Sequence, residues 1–150
     1  MLHTHNDELR LGRCLETLYP CDEILVIDHD SEDRTLRVAH DYAARLVRAA
    51  KFAAPEQHLL EVGWLLCLDP RESLTEALAA TLYSWKSEPC SNECAFSMLL
   101  REETSTGWVK HRQAQTRLVP AGWRQWSGSF PISVPTAQTL EGEILRFSFP

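Results

Sequence analysis

The sequence contains no apolar run that approaches the ~20 residues of a membrane-spanning helix. Residues 1–6 have neither the basic segment nor the apolar segment of a signal peptide, so none is expected. Both absences favour a cytoplasmic protein. Basic residues are in the minority, with 15 Lys and Arg against 21 Asp and Glu and a net charge of −6. Because nucleic-acid binding usually needs a basic face, nucleic acid is not an expected partner.

The sequence also lacks internal repeats, low-complexity tracts and an even number of cysteines. Cys14 and Cys67, two of the five cysteines, lie in apolar patterns, which favours reduced thiols over a disulfide scaffold. With 150 residues, of which 44% are hydrophobic, the chain can form one domain with its own core. We therefore expect a single domain over residues 1–150.

Strand and helix patterns alternate over residues 1–85. Continuous apolar runs at 24–27 and 64–68 are typical of central parallel strands, and shorter strand patterns lie at 2–4 and 45–47. Helix patterns follow Asn6, Ser31, Pro55 (to residue 61 or 62) and the S-x-x-E capping box at 73–76. This alternation predicts an α/β fold with a mostly parallel sheet flanked by helices. After residue 86, β patterns at 95–100, 107–112, 116–119 and 143–149 predict a smaller, mixed β part.

An acidic residue ends each of the two apolar strands. Asp28 follows the run 24–27, and Asp69 follows the run 64–68. In open α/β sheets, ligands bind outside the carboxyl ends of the strands. We therefore expect Asp28 and Asp69 to face one binding site. The competing interpretations are structural: Asp28 as a helix cap, Asp69 as a turn residue and Glu72 as an acid in the first turn of a helix.

Several segments together resemble one known family. They are THNDE (4–8), DEILVIDHDSEDRT (22–35), YAARLV (42–47), WLLCLDPRESL (64–74), TRLV (116–119) and residues 141–149. This set is similar to family 2 glycosyltransferases of the GT-A fold, a Rossmann-like arrangement, and its last two segments resemble the lipopolysaccharide-core subgroup. The resemblance covers most of the chain.

The resemblance implies a nucleotide-sugar donor, bound mainly by residues 1–85, and an acceptor bound beside the β region 86–150. It places Thr4, His5 and Asp28 near the base and ribose, and Asp69 and Arg71 near the diphosphate. It also implies a divalent cation, Mg²⁺ or Mn²⁺, with Asp69 and Glu72 as its ligands. The acceptor would be a cell-surface glycan or a lipid-linked molecule, which implies peripheral association with the inner face of the membrane.

The chain departs from the family's pattern at the residues that carry chemistry. Arg71 replaces the second acid of the D-x-D element, and the late acids that could serve as the catalytic base are Glu141 and Glu143. Arg71 has two interpretations: a lost metal site in a decayed enzyme, or a guanidinium that takes over the electrostatic role of the cation. An inactive relative that binds a nucleotide or a protein is therefore an alternative to an active transferase.

A third interpretation belongs to another class of enzyme. The run Asp28-His29-Asp30 after an apolar strand resembles the D-x-D nucleophile motif of haloacid-dehalogenase phosphatases, which use a magnesium ion. Glu32, however, stands where that motif has Thr or Val, and no downstream lysine with paired acids follows. The sequence therefore favours the transferase family.

Overall fold

A computed structural model of the chain describes residues 1–49, 63–88 and 95–150. Three helices and eleven strands lie in these residues, in the order β1 (Leu2–Thr4), α1 (Leu11–Glu16), β2 (Leu25–Asp28), α2 (Thr35–Asp41), β3 (Arg45–Arg48), β4 (Trp64–Leu66), β5 (Glu72–Leu74), α3 (Glu76–Trp85), β6 (Phe96–Thr104), β7 (Gly107–Lys110), β8 (Gln115–Pro120), β9 (Trp126–Ser127), β10 (Phe130–Pro131) and β11 (Gln138–Arg146). The helix predicted after Pro55 lies outside the described residues.

The first sheet is parallel and has the order β1-β2-β3. Leu2 pairs with Val26, and Leu25 pairs with Arg45. The connections run through α1 and α2, as parallel strands require a crossover. All four residues of β2 are buried, which explains its continuous apolar sequence. This part of the predicted fold is therefore confirmed.

The second sheet is mixed, as predicted for the part after residue 86, but it also takes in β4, which was predicted as a central strand of the parallel sheet and pairs antiparallel with β8. Its order is β4-β8-β6-β11-β5, and β7 pairs with β6. Only β6 and β11 run parallel in it; the other pairs are antiparallel. A tight turn joins β6 and β7, which makes these two strands antiparallel neighbours without a crossover helix. The other antiparallel pairs, β4–β8, β6–β8 and β5–β11, join strands that are farther apart in the sequence.

One apolar core holds the two sheets together. Leu2 of β1 forms a parallel bridge with Leu68, so the first sheet adjoins the strand that contains β4. Leu2, Val26 and Leu68 pack with residues of all three described helices and of the second sheet, among them Leu78 and Ile144. The six-stranded sheet takes strands from both sides of residue 85.

Three helix starts differ from the predicted ones. The helix predicted after Ser31, α2, begins only at Thr35, and Arg34 is at its N-cap without a side-chain cap. Asn6 has a φ of 55°, so it forms a turn rather than a helix cap, and α1 begins only at Leu11. Thr75, not Ser73, is the N-cap of α3, and its side chain accepts a hydrogen bond from the Leu78 amide. In the described part of the chain, no helix is both long and apolar enough to cross a membrane.

Candidate functional site

A cavity of about 410 Å³ lies at the carboxyl ends of β1, β2 and β4. It is open to solvent, and its wall is formed by the end of β1, the loops that follow β1, β2 and β4, and the turn between β9 and β10. The residues that line it are His3, Thr4, His5, Asp7, Arg10, His29, Asp69, Pro70, Arg71 and Ser129. This is the place where open α/β sheets bind their ligands.

Side-chain hydrogen bonds join the loop after β1 to the loop after β2. The Asn6 amide donates to the Ser31 hydroxyl at 3.0 Å, and the Asn6 side-chain oxygen accepts from the Glu32 amide at 2.8 Å. The Asp7 amide donates to the hydroxyl of Thr35 at 2.7 Å. These reciprocal bonds hold Asn6 in its left-handed conformation and fix one wall of the cavity before any ligand binds.

Three histidines form the edge of the cavity beside these loops. The ring centres of His3 and His29 stack at 5.2 Å. His3 Nδ1 lies 2.9 Å from His29 Nε2, so one of the two rings donates a hydrogen bond to the other. His5 Nδ1 donates to the His29 carbonyl at 2.6 Å. Burial, followed by the charges of His29 and the N-terminus, lowers the pKa of His3 to about 4. His3 is therefore neutral at pH 7.

Asp69 and Arg71 form a bidentate ion pair on the opposite wall. Arg71 Nε and Nη2 donate to the two carboxylate oxygens of Asp69 at 2.9 and 3.1 Å, and the Arg71 amide donates to Asp69 Oδ1 at 2.9 Å. Burial raises the pKa of the Asp69 carboxyl, but the hydrogen bonds and charge of Arg71 outweigh it and hold that pKa below its ordinary value. The remaining guanidinium N–H groups of Arg71, whose side chain is 45% exposed, can donate to a ligand.

A buried ionic network lies beneath this pair. The Glu72 carboxylate accepts from Arg117 at 2.9 Å and from Arg146 at 2.7 and 3.1 Å, while its other oxygen accepts from the Asp69 amide at 2.9 Å. Arg117 also donates to the Cys67 carbonyl, and its guanidinium lies 4.0 Å from the ring centre of Phe130. Burial lowers the pKa of Arg117, although Glu72 opposes that shift.

The residues present do not fit a divalent cation. Asp69 already accepts three hydrogen bonds from Arg71, and Glu72 is fully buried between two guanidinium groups. Hard cations need several oxygen ligands and are repelled by neighbouring positive charge. Within residues 1–49, 63–88 and 95–150, no group of three His, Cys, Asp or Glu side chains is arranged to hold an ion. Glu72 is thus placed as the acid of a buried ion-pair network, and its role as a metal ligand stays a prediction.

Four of the predicted site residues, Thr4, His5, Asp69 and Arg71, line the cavity together. Asp28 does not belong to its lining and is 1% exposed. Its carboxylate accepts from the Thr4 hydroxyl at 3.4 Å and from the Ser31 amide at 3.1 Å. Asp28 therefore supports the turn behind Thr4, which is a structural role similar to the predicted alternative of a helix cap. Direct contact of Asp28 with a ligand stays a prediction.

The two late acids proposed as catalytic bases lie away from the cavity lining. Glu143 is paired with Lys110 at 2.8 Å and with Arg101 at 2.6 Å, and these partners lower its pKa. Glu141 is exposed on β11. A carboxylate with a lowered pKa and two cationic partners, such as Glu143, is a poor proton acceptor. The role of Glu141 or Glu143 as the catalytic base stays a prediction.

The sequence-based interpretation missed other residues of the site: His3, Asp7, Arg10 and Ser129 in the wall, and Arg117 with Arg146 beneath it. The signals were weak but present. His3, Asp7 and Arg10 flank the predicted contact residues in the loop after the first strand. Arg117 is a single charged residue within a buried strand, which is unusual unless an acid pairs with it.

Comparison with known proteins identifies the fold. No family model matches the chain. Along its whole length, the chain matches the structure of S. aureus TarS 1–349 in complex with UDP, covering 60% of that crystallised chain with a TM-score of 0.57 and 14% sequence identity. The chain has a glycosyltransferase-like fold. A second structure of S. aureus TarS 1–349 matches 69% of the chain and 34% of that crystallised chain, with a TM-score of 0.48 and 18% identity.

A relative found by sequence comparison is longer than this glycosyltransferase-like chain. A TPR repeat-containing protein of Synechococcus elongatus is 32% identical over 108 residues, which are 67% of this chain and 26% of the relative. The chain thus spans about a quarter of the length of that relative and 60% of the crystallised TarS chain, residues 1–349.

Proposed function

We propose that this glycosyltransferase-like domain binds a nucleotide-sugar donor in the cavity at the strand ends, as the donor-binding part of a family 2 type transferase. His5, which is exposed, would contact the base and ribose, and Arg71 would contact the diphosphate. Thr4 lines the cavity but is 1% exposed, so it would act as part of the wall on the side of the base and ribose. The glycan or lipid-linked acceptor would approach from the side of β9 and β10, where Ser129 lines the cavity. The single observation that carries the proposal is the meeting of Thr4, His5, Asp69 and Arg71 at one site.

The fold supports the same donor class. TarS, which shares the fold, was crystallised with UDP. A uridine nucleotide is therefore the first ligand to test. The sugar and the acceptor would be tested after it.

Thermal unfolding in the presence of UDP tests donor binding. Because a ligand that binds only the folded state stabilises it by about 2.7 kcal/mol at a hundredfold excess over Kd, UDP should raise the Tm by several degrees. His5→Ala should reduce this shift, whereas His40→Ala, which replaces an exposed histidine on α2 with 85% side-chain exposure, should not. A Tm that stays constant up to millimolar UDP and UDP-sugars would sink the proposal.

A second candidate is an inactive relative that binds the nucleotide without transferring sugar. The observation in its favour is that both cavity carboxylates have cationic neighbours: Asp69 is paired with Arg71, and Asp7 lies 3.9 Å from Arg10. Because Arg71 holds the pKa of the Asp69 carboxyl below its ordinary value, Asp69 is a poor acceptor for the proton of an acceptor hydroxyl. Release of UDP from a bound UDP-sugar, measured over hours, separates the two: turnover identifies a transferase, and binding without turnover identifies the inactive relative.

A further inference from the structure

We infer that this site binds the diphosphate of its ligand without a divalent cation, through the Arg71 guanidinium held in place by Asp69. The inference rests on the proposed nucleotide-sugar binding and adds to it the chemistry that recognises the phosphates. It follows from the donors, acceptors and charges of the cavity and the layer beneath it.

The cavity offers hydrogen-bond donors rather than free acceptors. The two oxygens of Asp69 face Arg71, and one oxygen of Asp7 accepts from the His5 amide at 3.0 Å. Arg71 retains N–H groups that Asp69 does not use, and Arg10 lies only loosely against Asp7, at 3.9 Å. Guanidinium groups bind phosphate oxygens through pairs of parallel N–H bonds, so this surface suits an oxyanion.

The charges around the cavity are balanced. Four carboxylates, Asp7, Asp28, Asp69 and Glu72, stand against four guanidinium groups, those of Arg10, Arg71, Arg117 and Arg146. Glu72 is paired with Arg117 and Arg146, and Asp69 is paired with Arg71, so no excess of negative charge remains to attract a divalent cation. A diphosphate can instead be held by the N–H groups of Arg71 that Asp69 does not use.

Asp69 fixes the direction of the guanidinium. Its backbone amide is bound to Glu72, and its two oxygens hold Nε and Nη2 of Arg71, so the free edge of the guanidinium is set before a ligand arrives. Such preorganisation reduces the entropy that a flexible arginine loses on binding. Asp69 is thus a positioning residue for Arg71 rather than a metal ligand.

Isothermal titration with UDP and with inorganic pyrophosphate tests the inference, each in EDTA and in MnCl₂. We expect the wild type to bind both ligands in EDTA at least as tightly as in MnCl₂, where Mn²⁺ also complexes the free ligand, and Arg71→Gln to weaken the binding of both ligands by about 10- to 100-fold. Arg71→Lys should recover part of this loss, because it keeps the charge but not the paired N–H groups. Arg37→Gln is the matched control, since Arg37 is an arginine of α2 with 77% side-chain exposure and does not line the cavity.

Arg71→Asp provides the converse experiment. With two carboxylates in place of the ion pair, UDP should bind this variant only when MnCl₂ is present. Wild-type binding that needs Mn²⁺ would overturn the inference while leaving nucleotide binding intact, and so would an unchanged Kd in Arg71→Gln. If pyrophosphate bound but UDP did not, the diphosphate site would be supported and the nucleotide proposal would be wrong. If neither UDP nor pyrophosphate bound in either buffer, both the inference and the nucleotide proposal would be overturned.

Discussion

Glu72 is the residue at which three parts of the chain meet. It accepts hydrogen bonds from Arg117 of β8, from Arg146 of β11 and from the backbone of Asp69. Its neighbours in β5 pair with β11, so this carboxylate is positioned by the register of a strand that lies some seventy residues later in the chain. The shape of the Asp69–Arg71 loop therefore depends on the second sheet.

Removal of the Glu72 side chain should be among the most costly single changes in the protein. Glu72→Ala would leave two guanidinium groups buried without their partner, which typically costs about 3–5 kcal/mol of unfolding free energy. Glu72→Gln, which keeps the size and an acceptor oxygen, should cost less. Urea unfolding measures both variants.

The control for this prediction is Glu141→Ala, at an exposed acid of β11 that should change stability by no more than about 0.5 kcal/mol. Loss of 1 kcal/mol or less in Glu72→Ala would mean that the buried network does not form in solution.

At the scale of whole elements, β11 connects helix α3 to the buried network beneath the cavity, since Arg146 at its end bonds to Glu72. Its register against β6 shifts between Thr139 and Glu143, and Gly142 lies within this irregularity with a φ of 101°. A Cβ atom built on Gly142 would come within 2.5 Å of the Leu78 Cα in α3. The close approach of strand and helix therefore requires glycine at this position.

Gly142→Ala should lower the unfolding free energy by about 2–4 kcal/mol, because it combines an unfavourable φ with steric overlap against a helix backbone. Gly122→Ala is the matched control, since a Cβ there has nothing within 4 Å and its φ is not in the left-handed region. Denaturant unfolding of the two variants decides the point: equal stabilities would contradict the packing described for α3 and β11.

The contrast between β2 and β11 shows what the sequence could predict. β2 was predictable because its pattern is local: four buried residues in a row, followed by an acid and turn residues. β5 and β10 are too short to leave a pattern, and the partners of β11 are set by long-range pairing that no local window contains. Asp69 was found by the same local rule of strand ends, whereas Thr4, His5 and Arg71 were implied by the resemblance to family 2 glycosyltransferases. Arg117 and Arg146 were not found, because their role depends on the tertiary position of Glu72.

At the scale of the whole molecule, the stability should depend on pH through the histidine edge of the cavity. His3 has a folded-state pKa of about 4 against an ordinary value of 6.5, caused by burial and by the charges of His29 and the N-terminus. Between pH 6.5 and about 4 the unfolded chain therefore binds this proton more readily than the folded chain. The contribution of neutral His3 to stability is complete above pH 6.5 and declines as the pH falls through that window.

Melting curves between pH 7.5 and 5 test this prediction. The wild-type Tm should fall as the pH is lowered, and the fall should be smaller in His3→Gln, which cannot take up the proton. His40→Gln, at an exposed histidine of α2, should follow the wild type. The carboxyls with lowered pKa, those of Asp33, Asp69 and Glu143, do not confuse the measurement, since their contributions are lost mainly below the ordinary values of 3.8 for Asp and 4.5 for Glu. Parallel Tm profiles for wild type and His3→Gln would mean that His3 is exposed to water, and that the edge of the cavity is looser than the stacked His3–His29 pair requires.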